Sequence, residues 1–80
     1  MDDVGTLREL TRGLHPIERR VALSVCVDVV LMAPDLPGGH PGRAARCGVQ
    51  LLLDLCLPHL DRRLRDDLAR ACEVEVVRSA

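Results

Sequence analysis

The chain has 80 residues, of which 48% are hydrophobic and 29% are charged, and its formal net charge is −1. This composition is typical of a folded domain rather than a disordered segment, and the length allows only one domain. The near-neutral charge gives no overall attraction to nucleic acid or to an acidic membrane. A chain this short buries only roughly 60% of its unfolded surface, so a metal, disulfides or a partner chain would add stability.

The choice of amino acids reflects the GC content of the gene more than the function of the protein. The chain contains no aromatic residue and no lysine, and all eleven basic residues are arginine. Because arginine, alanine, glycine and proline have GC-rich codons, we expect a bacterial protein from a high-GC genome. The core must then be built from Leu, Val, Ala, Cys and Met, without a bulky aromatic anchor.

The first predicted helix covers about residues 7–13. Thr6 and Glu9 have the spacing of a capping box, in which the two side chains bond reciprocally to backbone N–H groups. Gly13 stands where a left-handed C-cap would end this helix.

The second predicted helix starts at Pro16, which suits a first helical turn. Apolar residues recur four apart at Ile17, Val21, Val25 and Val29, which indicates a helix to about residue 32. An alternating pattern over residues 21–32 also fits a strand, and that alternative stays open. Residues 33–42, APDLPGGHPG, are predicted to be a loop because they contain three prolines and three glycines.

The third predicted helix runs from Pro41 to about residue 57 and contains the apolar stretch 48–57, GVQLLLDLCL. Such a helix is usually central, since apolar side chains cover most of its circumference. One apolar stripe comprises Ala45, Val49, Leu52, Leu53 and Cys56, and a second comprises Cys47, Leu51 and Leu55. Gln50 and Asp54 form a narrow polar edge between them.

The fourth predicted helix follows Pro58, with Asp61 as its N-cap. Residues 73–80 carry no clear signal, and a frayed helix end, a short strand or a linker all fit them. The sequence thus predicts an all-α fold, a compact bundle of about four short helices. The bundle forms a single domain over residues 1–80, or the N-terminal domain of a longer protein in which 73–80 are a tail or linker.

Location and chemistry are predicted mainly from what the sequence lacks. The N-terminus resembles no signal peptide, and no apolar run reaches the roughly 20 residues needed to span a bilayer, so we expect a cytoplasmic protein with reduced cysteines. No catalytic site or cofactor is predicted. A metal site is not predicted either, because the cysteine spacings match no known pattern. The residues that could form one are Cys47, Cys56, His59 and Cys72.

Excess apolar surface predicts a protein–protein contact. The second and third predicted helices each have two apolar faces. Together they present more apolar surface than a four-helix monomer can bury, and such surface usually marks an interface. We therefore expect a non-enzymatic adaptor or oligomerisation module that binds a second copy or a helical partner. Its predicted interaction residues are Val25, Val29, Cys47, Gln50, Leu51, Asp54 and Leu55. Asp28 and Asp54 each interrupt an apolar segment. Each either marks the exposed edge of its helix or meets an arginine of a neighbour, such as Arg20 or Arg46, in this chain or in a partner.

The alternative is a small DNA-binding regulator. Four arginines of the fourth helix, Arg62, Arg63, Arg65 and Arg70, could place a basic face in the major groove. Asp61, Asp66 and Asp67 are interleaved with them and would be repelled by the duplex. Nucleic acid is therefore the less favoured partner.

Overall fold

The computed structural model describes residues 3–35 and 39–79. These residues form α1 (Asp3–Thr11), α2 (Pro16–Met32), a 3-10 helix (Ala33–Asp35), α3 (Pro41–Cys56) and α4 (Arg62–Ser79). None of them belongs to a strand, so the all-α bundle and the helical interpretation of 21–32 are confirmed. None of these helices is both long and apolar enough to cross a membrane.

Several helix boundaries in the structure differ from the predicted ones. The predicted loop 33–42 is partly helical, because its first three residues form the 3-10 helix and Pro41 begins α3; residues 36–38 lie outside the described part. Residues 73–79 belong to α4, and Val76 is only 1% exposed. The end of α4 is therefore held in the core, as a helix rather than a strand or linker.

The limits of α1 differ most from the prediction. The helix starts at Asp3, so Thr6 lies inside it and the predicted capping box is wrong. A favourable local cap does not stop the preceding residues from continuing the helix. Gly13 has no left-handed conformation, so that C-cap is wrong as well. Instead, the buried Thr11 hydroxyl lies 3.0 Å from the backbone oxygen of Leu7 and 3.1 Å from that of Arg8, and can donate to either. The Arg8 carbonyl is one of the last four of the helix, which have no intrahelical partner.

Helices α2 and α3 begin in the same way, with a histidine at the N-cap followed by a proline. The Nδ1 atom of His15 accepts from the Ile17 N–H at 3.3 Å, and Nδ1 of His40 accepts from the Gly42 N–H at 3.1 Å. Proline fits the first helical position because it has no N–H to satisfy. The α4 helix is capped by Asp61, as predicted, through its bond to the Arg63 N–H at 3.0 Å.

The core lies between α3 and α4, which share the largest contact in the bundle, and α1 and α2 close it from the other sides. The α3 helix contributes Ala45, Val49 and Leu53, all fully buried. The other members are Leu7, Ala22, Cys26, Val29, Leu57, Leu60, Leu68, Ala69, Cys72 and Val76. Small and medium aliphatic side chains therefore fill the interior, as the composition predicts.

Candidate interaction surface

The outward face of α3 carries large apolar side chains that the described residues leave partly or mostly exposed. Leu51 is 60% exposed, Leu52 39% and Leu55 71%. Spacings of three and four residues place them on one side of the helix with Cys47 and Gly48. We call these five residues, Cys47, Gly48, Leu51, Leu52 and Leu55, the α3 surface.

The predicted interaction residues divide between this surface and the interior. Cys47, Leu51, Asp54 and Leu55 are exposed, whereas Gln50 and Val25 are half-buried. Val29 lies in the core at 7% exposure, because the face of α2 that carries Cys26 turns toward α4.

Two members of the α3 surface were not among the predicted interaction residues. Leu52 belongs to the first predicted apolar stripe, together with Cys56, and both are exposed because α3 packs on its neighbours through a narrower face. Gly48 was not singled out. Its position in the middle of a helix, where glycine is unfavourable, was the signal available in the sequence.

A shallow groove of about 470 Å³ borders the α3 surface where α3 meets α4. It is lined by Cys47, Gln50, Leu51, Asp54, Arg62 and Arg65. Asp54 forms an ion pair with Arg65, whose side chain is only 15% exposed. An arginine of a neighbouring helix thus meets Asp54, which is one of the two predicted alternatives. The arginine is Arg65 and not Arg20 or Arg46, since α4 runs alongside α3 and brings Arg65 within reach. Asp28 makes no ion pair within the described ranges.

A second polar contact joins α3 to α4 nearer the start of α3. An Arg46 guanidinium nitrogen lies 2.9 Å from an Asp66 carboxylate oxygen, and another lies 3.8 Å from Glu73. Arg70 also bonds to Asp66 at 2.9 Å. The hydrogen bond from Arg46 holds the pKa of Asp66 below its ordinary value, and that of Arg46 is raised in turn.

The four arginines of the DNA-binding alternative do not form one free basic face. Arg65 is largely buried against Asp54, and Arg70 is bonded to Asp66. Arg62 and Arg63 remain exposed. Two of the four charges are thus engaged within the chain.

The metal candidates are dispersed. Within residues 3–35 and 39–79, no three His, Cys, Asp or Glu side chains come together as a metal site would require. Cys47 and Cys56 are exposed, whereas Cys72 is buried. His59 pairs with Glu18 of α2. The histidine thus ties the α3–α4 turn to α2.

Cys26 and Cys72 form a buried thiol contact between α2 and α4. The Cys72 thiol donates to the backbone oxygen of Cys26 at 3.5 Å, and both side chains are fully buried. A side-chain hydrogen bond with Cys72, together with burial, raises the pKa of Cys26. The protonated form of Cys26 is thereby favoured, which suits a thiol that packs as a small apolar group.

Comparison with known proteins adds no constraint on these features. No protein-family model matches the chain, and no curated protein or solved structure is significantly similar to it. The geometry of the chain itself therefore carries the functional inference.

Proposed function

We propose that this chain is a non-enzymatic helical interaction module that binds a second copy of itself, or a helical partner, through the α3 surface. The observation that carries the proposal is the exposure of Leu51, Leu52 and Leu55 on one side of a helix whose opposite side is fully buried. Three leucines within five residues form a continuous apolar strip. Contiguous exposed apolar patches mark interaction sites far more often than single exposed residues do.

The energy available from this strip supports the proposal. Fully burying a leucine side chain contributes about 1.5–3 kcal/mol relative to leaving it in water. Covering the three partly exposed leucines would therefore supply several kcal/mol toward an association, before its entropic costs. A helix is a suitable occupant, because its apolar side chains can pack between rows spaced three and four residues apart.

The polar edge beside the strip is compatible with a neutral partner. Asp54 is already compensated by Arg65, so this pair adds no net charge to the edge of the α3 surface. A second copy, with the same balanced edge, would meet no strong like-charge repulsion there. DNA binding by α4 has weaker support, because Arg65 and Arg70 are engaged within the chain.

Sedimentation equilibrium tests the proposal directly. We expect the wild-type chain to form a dimer or small oligomer as its concentration rises toward about 1 mM, where even weak contacts populate. Changing Leu51 and Leu55 to Glu together should yield a monomer, because association would bury two carboxylates. The matched control changes Val27 and Leu31 to Glu, an exposed pair of α2 with the same spacing, and should still associate.

Two results would contradict this assignment. A wild-type chain that stays monomeric throughout would exclude self-association through the α3 surface. Equal loss of association in both double variants would place the contact elsewhere, or indicate a general effect of added charge. Circular dichroism of each variant establishes that its helices remain formed.

A further inference from the structure

The corner between α1 and α2 holds a shallow groove that combines positive charge with apolar surface. The groove has a volume of about 490 Å³ and is lined by Arg12, Leu14, Pro16, Arg19, Arg20 and Leu23. A smaller depression of about 210 Å³ shares Pro16 and Arg20 and adds Ile17 and Val21. We call the larger one the corner groove.

The positive charge of the corner groove is only partly compensated within the chain. Arg12 pairs with Glu9 at 2.7 Å, but both side chains are mostly exposed. Glu18, the acidic residue next to the groove arginines in sequence, is bonded to His59 instead. Arg19 and Arg20 make no ion pair in the part of the chain that the structure describes. Three guanidinium groups thus line one depression, and within the described ranges the only ion pair that any of them makes is that of Arg12 with Glu9.

Charge is also distributed unevenly over the protein. The residues that line the corner groove include three arginines and no acidic residue, whereas the whole chain has a net charge of −1. The corner is therefore a positive region on a protein that is slightly negative overall. Such a region attracts anionic groups and orients them during encounter.

The apolar lining narrows the class of ligand. Leu14 and Leu23 are partly buried and pack against the core, so they form a fixed apolar floor. At the adjoining depression, Ile17 is 69% exposed. A free phosphate ion would use only the arginines, and a flat membrane surface would not enter a concave groove. A peptide can present a carboxylate and an apolar side chain side by side.

We propose that the corner groove binds an acidic segment of a partner protein. A carboxylate of the segment faces Arg19 and Arg20, and a neighbouring apolar side chain lies against Leu14 and Leu23. This contact is separate from the α3 surface and does not depend on it. With both contacts, one small domain can hold two binding partners, as an adaptor does.

Binding of a fluorescein-labelled peptide with alternating pairs of glutamate and leucine tests this proposal. Changing Arg19 and Arg20 to Gln together should weaken binding about tenfold or more, because the carboxylate of the peptide would lose its charge-assisted hydrogen bonds. The matched control changes Arg62 and Arg63 to Gln, which removes the same charge from an exposed pair on α4. It should leave binding nearly unchanged, and the peptide should shift the backbone amide resonances of residues 13–23.

Three results would overturn the proposal. Equal weakening by both arginine pairs would show attraction to net charge alone. Equal affinity for a peptide with glutamine in place of glutamate would remove the role of the carboxylate. Binding to phosphatidylglycerol vesicles, without peptide binding, would make the corner groove a membrane contact. The Leu51→Glu, Leu55→Glu variant should bind the peptide normally, so this test and that of the α3 surface can fail separately.

Discussion

The two faces of α3 have similar side chains and opposite environments. Val49 and Leu53 are fully buried, while Leu51 and Leu55 are 60% and 71% exposed. The difference comes from the size of the bundle rather than from the residue types. Its shortest dimension is 18 Å, which accommodates about two layers of helices roughly 10 Å thick. Each helix therefore has an uncovered side, and on α3 that side is apolar.

Truncating a leucine on each face gives the largest contrast. We expect Leu53→Ala to lower the free energy of unfolding by about 2–5 kcal/mol, because it removes buried methyl groups and leaves a cavity. Leu55→Ala should change it by less than about 0.5 kcal/mol in dilute solution, since the side chain is mostly in water. Urea unfolding followed by circular dichroism measures both. Similar losses would show that the outward face is covered in solution.

Replacing each of the two glycines of α3 by alanine should change the stability of the fold in opposite directions. A Cβ atom on Gly42 would lie 2.8 Å from Cγ2 of Val77 and 3.1 Å from Cγ of Glu73, so Gly42→Ala should destabilise the fold by about 1 kcal/mol. A Cβ atom on Gly48 would meet nothing within 4 Å. Gly48→Ala should therefore stabilise the helix by roughly 0.5–1 kcal/mol. Thermal unfolding of the two variants checks both signs.

The difference between Gly42 and Gly48 also tests whether a partner packs on the α3 surface. Gly42 is explained by the close approach of α4, but no contact with another described residue requires glycine at position 48. If a partner packs over Gly48, the Gly48→Ala variant should be more stable yet associate more weakly. A variant that is both more stable and equally associated would separate Gly48 from the contact.

The helices could be predicted from the sequence, because the interactions that start a helix involve residues only a few positions apart. Pro16 and Pro41 start helices by their fixed backbone geometry, and Asp61 caps by a bond two residues along. The start of α1 could not be predicted in this way, since a good cap at Thr6 does not exclude an earlier start.

Burial on α3 was only partly predictable, for a physical reason. Hydrophobic spacing identifies which side chains share a side of a helix, but not how many neighbours will cover that side. Leu52 and Leu53 are adjacent and chemically identical, yet one is 39% exposed and the other fully buried. The corner groove was missed because it joins residues of two elements across a turn whose geometry the sequence does not specify.

The partly exposed ion pair between Arg46 of α3 and Asp66 of α4 predicts an acid-sensitive contribution to stability. Arg46 lowers the pKa of Asp66, so the folded state favours the ionised carboxylate. This stabilisation is present above the ordinary carboxyl pKa of about 4 and is lost as the pH falls through the lower, folded pKa. Asp66→Asn should remove that part of the pH dependence. The effect should be smaller than those of packing, because the pair is partly exposed.

The measurement compares urea midpoints near neutral pH and near pH 3 for each variant. Asp67→Asn is the matched control, since it removes the same charge from the neighbouring residue without touching the Arg46 pair. The carboxyl resonance of Asp66 should also titrate at lower pH than a free aspartate. Parallel pH profiles for the two variants would contradict a specific role of the Arg46 contact.

The smallest expected effect lies at the border between the two faces of α3. Asp54 compensates Arg65, whose side chain is only 15% exposed, whereas Asp28 stands exposed on α2. Asp54→Ala should cost about 0.5–1 kcal/mol, the upper range for an ion pair near the surface, because the Arg65 charge cannot move freely into water. Asp28→Ala should cost less than about 0.5 kcal/mol. Equal costs in urea unfolding would mean that Arg65 is well hydrated once Asp54 is removed, and that the ion pair adds nothing to stability.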